Sequence, residues 1–469
     1  MKRGYLYILL TNKKIIQKPK IIEERQMQKK QIVAVIGGAC AGSEVAHQLT
    51  QKGIDVVVFE QNSLPYGKIE DGLPRWHGKL QDREIKKIDE KLSHSNVRFV
   101  PHCKLGEDVS VQQLLDLKFS AIILANGAWK DRPLRAEGLD KVTDLTFCYQ
   151  NPFIYWFNHY HEKNYQGETY PVSEGAIVVG GGLASIDVAK VCQLESVKKK
   201  LEERGIEVDV IAMEHKGIPK YLANFDIKYE DLNIKPACIY YRRRDIDMPL
   251  AEMPKGCTPE KKEKVQNVRV KILANANKKY FFEVRPLHLP KEIHSTDGSV
   301  SGITFHKMNY DGEKLEKSGE EVHVETNLVI SSIGSIPEPL SEIPMEWETY
   351  DISDTVTGAI NKYEGVYGVG NAVTGKGNIM VSNRHAKNMG AFVASSLKSE
   401  EKENVAKSWE KETQEIADKM QEIYAYLSEK PGLDDEDCTK IADFVGDLNK
   451  KVDYDNYNSW KESILSQRN

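Results

Sequence analysis

The sequence lacks three things that would have directed it to other classes of protein. No apolar run approaches the roughly 20 residues that a membrane-crossing helix needs, so no membrane span is expected. The seven cysteines, Cys40, Cys103, Cys148, Cys192, Cys238, Cys257 and Cys438, are scattered and include no C-x-x-C pair. Their pattern argues against a structural zinc, a cysteine-ligated iron–sulfur centre and a dithiol redox centre, and for a reducing compartment. There is also no surplus of positive charge. A formal net charge of -5 offers nothing to a nucleic-acid backbone. What is present, 40% hydrophobic and 29% charged residues over 469 positions, suits two or three domains with real cores.

Acids are missing from one place in particular. Met1 to Ile22 holds Lys2, Arg3, Lys13, Lys14, Lys18 and Lys20, and the first acid is Glu23. Residues 1–30 read as a disordered extension, with an organelle-targeting segment as the alternative. The first reading goes with a cytoplasmic protein and the second with the mitochondrial matrix.

The order strand, tight turn, helix, strand, acid appears between Gln31 and Glu60. Ile32 to Ile36 is a short β-branched run of the kind buried in parallel sheets. The turn Gly37-Gly38-Ala39-Cys40-Ala41-Gly42 leads into a helical stretch from Ser43 to Leu49, and Ile54 to Phe59 is a second strand ending on Glu60. This is the order of a dinucleotide-binding βαβ unit. Glycines let backbone amides approach a pyrophosphate, the helix N-terminus supplies partial positive charge, and the acid takes the ribose hydroxyls. Ala39 stands where the middle glycine of G-x-G-x-x-G belongs. Cys40, inside the turn, reads as a small filler residue.

A turn-rich loop follows, from Pro65 to Trp76, too long for a simple connection and therefore expected to be functional. A charged helix over Asp82–Leu92, a strand at Val97–Val100 and a buried strand at Ala121–Ala125 come next. The last closes on Asn126-Gly127, where glycine again permits close approach to a ligand.

Gly175 to Lys190 repeats the opening unit: a strand over Ala176–Val179, the turn Gly180-Gly181-Gly182-Leu183-Ala184-Ser185, and a helix. Gly180 and Gly182 take the first two fingerprint positions and Ser185 the third. After a polar excursion over 195–236, the strand Ala237–Tyr241 ends on Arg242, Arg243 and Arg244. An NAD site wants an acid there. Planar guanidinium donors suit the 2′-phosphate of NADP instead.

Residues 267–333 are expected to alternate short strands with turns: Val268–Val270, Tyr280–Val284 and Gly302–Phe305, closing on a buried strand at Leu328–Gly334. Gly365–Asn371 is a further strand ending on Gly370 and Asn371, followed by a loop to Asn378 and a helix from Ile379 to Leu397. Beyond Ser399 the chain reads as a helical hairpin. Ile416, Met420, Ile423 and Leu427 share one face and Ile441, Phe444, Val445 and Leu448 another, which points to packing on the body of the protein.

Taken together, these residues resemble those of the FAD- and NADPH-binding reductases related to adrenodoxin reductase and the glutamate synthase small subunit. The likeness runs from about Gln31 to Leu397. Tyr241-Arg242-Arg243-Arg244-Asp245-Ile246-Asp247-Met248-Pro249 is similar to the family's Tyr-Arg-Arg…Met-Pro stretch. Ala125-Asn126-Gly127 stands for its Ala-Thr-Gly element, and Gly370-Asn371 for its closing Gly-Asp.

The resemblance implies an α/β protein with two Rossmann-like domains, one for FAD and one for NADPH, the FAD domain discontinuous, and a C-terminal helical tail. The implied division is FAD domain 31–172 and 335–398, NADPH domain 173–334, and tail 399–469. FAD would be held by Gly37, Ala39, Gly42, Glu60, Lys68, Gly127, Gly370, Asn371, Gly377, Asn378 and Ile379. NADPH would be held by Gly180, Gly182, Leu183, Ser185, Arg242, Arg243 and Arg244.

Lys68 lies where the adrenodoxin reductase run Leu-Val-Arg borders the flavin, a run that reads Lys68-Ile69-Glu70 here. An exposed loop lysine is the alternative. No metal and no acid–base residue is assigned. The implied activity is passage of hydride from NADPH to FAD and of electrons onward to a ferredoxin-like protein. An electron-input subunit of a larger enzyme, docked through the tail, and a scaffold that kept the fold without turnover are the rival readings.

Overall fold

The computed structural model describes residues 30–251, 253, 256–354, 357–373 and 402–468, with side chains in the last segment from Ile416 onward. The extension before residue 30, the expected loop amides at Gly377, Asn378 and Ile379, and the helix expected after them lie outside the described residues.

The described residues run first through β1 (Ile32–Ile36), α1 (Cys40–Thr50) and β2 (Asp55–Phe59). It continues through α2 (Gly78–Leu92), β3 (Val97–Val100), α3 (Val111–Asp116) and β4 (Ala121–Leu124). A short crossing strand β5 (Lys130–Asp131) leads to β6 (Phe147–Tyr149), α4 (Gln150–His159), β7 (Ile177–Gly180) and the long α5 (Leu183–Glu202). Then come α6 (Val210–Lys216), α7 (Ile218–Leu222), β8 (Cys238–Tyr241), α8 (Pro259–Tyr280) and β9 (Glu283–Pro286).

An antiparallel meander, β10 (His288–Thr296), β11 (Ser299–Asp311) and β12 (Lys314–Glu325), precedes β13 (Val329–Ser332). The return crossing is β14 (Ser335–Ile336). A hairpin of β15 (Met345–Glu346) and β16 (Thr349–Tyr350) then leads to β17 (Val366–Gly368). Three helices end the chain: α9 (Lys402–Glu429), α10 (Asp435–Lys450) and α11 (Tyr457–Arg468).

Two five-stranded parallel sheets result. The first has the order β17-β4-β1-β2-β3 and the second β6-β13-β7-β8-β9. β17 joins the first sheet only after the chain has completed the second, so that sheet is discontinuous in sequence. The two passes between the sheets pair with each other, β5 against β14. Both faces of the first sheet are covered, as a parallel sheet requires. Ile32, Ala34 and Ile36 enter one core cluster, and Val33 and Val35 another. At roughly 1.5–3 kcal/mol for each fully buried Val or Ile side chain, Ile32, Val33, Val35 and Ile36 of β1 alone contribute a sizeable part of the unit's driving force.

The tail covers both faces of this same sheet. Ile416, Met420, Ile423 and Leu427 of α9 join the cluster of Val33, Val35 and Val45, while Ile441 and Val445 of α10 join that of Ile32, Ala34 and Phe59. A third tail helix, α11, has no counterpart in the sequence expectation.

Three segments differ from expectation. The strand expected over Tyr280–Val284 starts only at Glu283, because Tyr280 ends α8 and Phe281 closes it with a left-handed backbone, φ +57°. Val268-Arg269-Val270 is not a strand but lies inside α8, whose N-terminus is set by the Thr258 cap on Lys261 N–H and by Pro259 in the first turn. Three residues are too few for strand alternation to outweigh the surrounding Lys, Glu, Ala and Asn. The stretch 195–236 is helical rather than an excursion: α5 continues through Val197 and Leu201, and α6 and α7 bury Met213, Ile218 and Leu222. Wide charged spacing between these apolar positions hides them from a reading by composition.

Candidate functional site

Both glycine turns sit at the C-terminal ends of parallel strands, where their helices begin. In the first, Gly37 has φ +92°, and its N–H donates to the Phe59 carbonyl at 2.8 Å. A Cβ on Gly42 would lie 1.8 Å from the Gly37 carbonyl oxygen, so no side chain fits between helix and turn. Ala39 is the residue before α1. Neither a side-chain cap nor an acid in the first turn occupies the helix N-terminus. Its amide donors are thus presented to whatever lies in front of the turn.

Glu60, 6% exposed at the end of β2, accepts hydrogen bonds from Gly38 N–H at 2.9 Å and Asn62 N–H at 3.0 Å. Burial pushes its carboxyl up to about 7 against the pull of those two donors. Next along the sheet edge comes the end of β4, where Asn126 donates to the Tyr350 hydroxyl at 2.9 Å. Its side-chain oxygen is buried without a hydrogen-bond partner among the described residues. Gly127, φ +67°, has almost open space where a Cβ would stand. Beyond it, β17 pairs with β4 and delivers Gly370, φ +60°, and the half-buried Asn371 to the same edge. Gly37, Ala39, Gly42, Glu60, Gly127, Gly370 and Asn371 therefore line one edge, across the point where strand order reverses between β4 and β1.

The second turn is built alike. A Cβ on Gly180 would meet the Ser332 carbonyl at 2.3 Å, and one on Gly181 the Tyr241 ring at 2.2 Å. One on Gly182 would meet nothing within 4 Å, so open space lies in front of the turn at the position before Leu183, the first residue of α5. That helix too starts without a side-chain cap or an acid in its first turn. Ser185 points inward and donates to the Ser332 carbonyl at 3.2 Å, fixing helix to sheet.

Arg242, Arg243 and Arg244 follow β8 and are exposed. They are not equivalent. Arg244 forms a two-point pair with Asp247, at 2.7 and 3.1 Å, and its guanidinium lies 4.6 Å from the centre of the Tyr310 ring. Among the described residues, the side chains of Arg242 and Arg243 have no such partner. Of the three side chains, that of Arg244 is the one engaged by this chain's own groups.

Lys68 is not an exposed loop lysine. Its ammonium donates to Asn151 Oδ1 at 3.3 Å and Ser335 Oγ at 3.0 Å, and lies 5.5 Å from the centre of the Trp129 ring. Burial brings it down to about 8 although Asp131 opposes the shift. Asn151 also donates to the Trp129 carbonyl at 2.8 Å. Loop, both crossing strands and the start of α4 are thereby tied together. The Lys68 partners come from residues 83 and 267 positions away, a distance over which sequence gives no signal.

A buried charged group behind the second turn is likewise absent from the sequence expectation. Lys190 on α5, 1% exposed, pairs with Glu214 at 2.6 Å and lies 4.3 Å from the centre of the Trp76 ring. Asp187, one turn earlier, is 3.7 Å from Lys190, and neither of its carboxyl oxygens has a hydrogen-bond partner among the described residues. Burial pushes that carboxyl up to about 7. Trp76 Nε1 donates to His77 Nε2 at 2.9 Å, and burial with the nearby Lys190 charge holds this imidazole well below its ordinary value. Only the i, i+3 spacing of Asp187 and Lys190 is legible in the sequence. No group of three or more potential metal ligands occurs among the described residues, and no helix among them is long and apolar enough to cross a membrane.

Comparison with known proteins agrees with this geometry. Residues 31–228 match the model of the pyridine nucleotide-disulphide oxidoreductase family. The chain is 22% identical over 342 residues to the mitochondrial NADPH:adrenodoxin oxidoreductase of Arabidopsis thaliana, covering 67% of this chain and 69% of that one. It is 29% identical over 177 residues to the glutamate synthase [NADPH] small chain of Bacillus subtilis, a match that spans 36% of this chain and only 33% of the relative. In three dimensions it is similar to Mycobacterium tuberculosis FprA, solved in complex with NADPH. The TM-score is 0.58 at 19% identity, over 90% of this chain and 91% of that one. The resemblance read from the motifs holds, and the fold is the two-sheet α/β fold of FprA, with helices at the C-terminal end of this chain.

Proposed function

We propose that this protein is an NADPH-dependent flavoprotein reductase. FAD is held on the first unit, built from residues 31–172 and 335–398, and NADPH on the second, residues 173–334. A ferredoxin-like protein is the electron acceptor. One observation carries the reading: two glycine turns with no room for a side chain behind them, each opening an uncapped helix, at the C-terminal edges of two parallel sheets.

The residues fit both groups. At the first turn, the open amides of α1 suit a pyrophosphate, Glu60 the adenosine ribose, and the orphaned Asn126 oxygen and Asn371 the remaining polar edge. At the second, Gly180, Gly182, Leu183 and Ser185 shape the pyrophosphate cradle, and Arg242 and Arg243 are left to take a 2′-phosphate. Hydride donation and acceptance are the chemistry of the bound nicotinamide and flavin themselves. The chain's part is to bind, to orient and to hold charge. Lys68 keeps a cation at the junction of loop and crossing strands, and its partners fix where that cation stands.

The visible spectrum of the purified full-length protein tests the reading. Bands of oxidised flavin that bleach on adding NADPH are expected. A colourless protein that takes up neither FAD nor NADPH would overturn the assignment and leave a scaffold that kept the fold.

A further inference from the structure

The C-terminal helices belong to neither nucleotide unit, and the loop between Glu60 and α2 has more side-chain partners than a connection needs. The two meet. Trp460 Nε1 on α11 donates to the Ser63 carbonyl at 2.7 Å, and its ring stands edge-on to His102 with centres 5.8 Å apart. Asp89 on α2 gathers three donors: the Tyr66 hydroxyl of the loop at 3.0 Å, and the Tyr457 hydroxyl at 2.7 Å and Lys461 ammonium at 3.1 Å, both from α11. At the far end of the helix Arg468 pairs with Glu70 of the loop. Leu64, Tyr66 and Ile69 of the loop and Tyr457 of α11 are buried in one hydrophobic cluster.

On its other side the same loop rests on the first glycine turn. A Cβ on Gly38 would come within 2.7 Å of Pro65 Cβ, and one on Gly67, φ +53°, within 2.9 Å of Ala39 Cβ. The loop is therefore a spacer, with the turn on one side and α11 on the other. Close-packed spacers transmit displacement rather than absorb it.

We infer that α11 is a built-in clamp that holds the loop against the glycine turn, and so governs how long the first unit retains its dinucleotide. Tyr457, Trp460, Lys461 and Arg468 are its positioning residues. The inference rests on the reading of the first unit as the FAD site. It also gives the tail a role within the chain, because the buried apolar residues of α9 and α10 are covered by this chain's own sheet.

Two full-length variants test the clamp without threatening the fold. Arg468→Ala removes the pair with Glu70 near the chain end, and Trp460→Phe keeps a ring while deleting the donor to Ser63. Lys440→Ala, which breaks an exposed pair with Glu436 on α10, removes the same charge elsewhere. FAD release is followed by the rise of flavin fluorescence on dilution. Hydrogen exchange of the amides of residues 63–73 is followed in the apoprotein.

Loss of one charge-assisted bond of about 1.5 kcal/mol corresponds to release about tenfold faster. Faster exchange confined to the loop is expected with it, with β1 amides unchanged, Arg468→Lys largely restored and Lys440→Ala like the parent. Parental release and exchange in both test variants would overturn the clamp. So would exchange that speeds equally throughout the first unit, since α11 would then be a general brace. If the parent holds no FAD, the cofactor reading fails, and the loop exchange in the apoprotein still decides whether α11 positions the loop.

Discussion

Replacing Gly42 by alanine sets two rules against each other. Gly42 lies in the first turn of α1, and glycine-to-alanine changes within helices ordinarily stabilise by about 0.5–1 kcal/mol. Here the added methyl would stand 1.8 Å from the Gly37 carbonyl oxygen, 2.9 Å from its carbon and 3.4 Å from Ala125 Cβ. A carbon–oxygen contact is comfortable only beyond about 3.3 Å, so turn and helix must separate by about 1.5 Å.

Overpacking of this kind costs about 1–3 kcal/mol, which exceeds the propensity gain. A net loss of about 1–2 kcal/mol is expected. The separation also moves the amide donors of α1 away from where a pyrophosphate would sit, so flavin content should fall; valine, with its extra methyl groups, should yield apoprotein. The control is Gly446→Ala in α10, where a Cβ meets nothing within 4 Å and the propensity rule acts alone. Urea unfolding of each apoprotein and the ratio of flavin to protein absorbance give the two readings. Parental stability and full flavin content in Gly42→Ala, or destabilisation by Gly446→Ala, would refute the reasoning.

Two further predictions concern charge. Arg242→Ala/Arg243→Ala should lower kcat/KM for NADPH by about two orders of magnitude while leaving NADH nearly untouched, since a dianionic 2′-phosphate loses two guanidinium partners. Arg244→Ala, already engaged by Asp247 and Tyr310, should affect both nucleotides alike, and equal losses in the double variant would remove the phosphate role. For Glu60 the sign follows from a carboxyl raised from 4.5 to about 7 on folding. The folded apoprotein holds that proton more tightly than the unfolded chain, so this stabilising term is full below about pH 4.5 and is lost as pH rises through 7. It amounts to about 3 kcal/mol. Glu60→Gln should flatten the change in apoprotein stability between those two pH values, and an unaltered slope in urea titrations would place the proton elsewhere.

Sequence alone determined the two strand–turn–helix units. Short β-branched runs, a glycine turn and Glu60 act within about thirty residues in the first unit, and a second glycine turn opening a helix does the same after β7, where backbone sterics and strand periodicity leave few alternatives; the arginines mark the end of the next strand, β8, about sixty residues further on. The apolar stripes at Ile416–Leu427 and Ile441–Leu448 likewise announced packed helices.

Tertiary structure decided what depends on groups distant in sequence. The burial of Lys68 among Asn151, Ser335 and Trp129, the gathering of Tyr66, Tyr457 and Lys461 around Asp89, and the return of β17 to the first sheet exist only once the sheets and tail have packed. The three consecutive arginines show the division most plainly. Their sequence suggests a phosphate partner, but only the fold gives Arg244 to Asp247 and leaves the side chains of Arg242 and Arg243 without an ion pair among the described residues. That choice is made by the turn after β8, which carries Asp247 back within reach of one guanidinium.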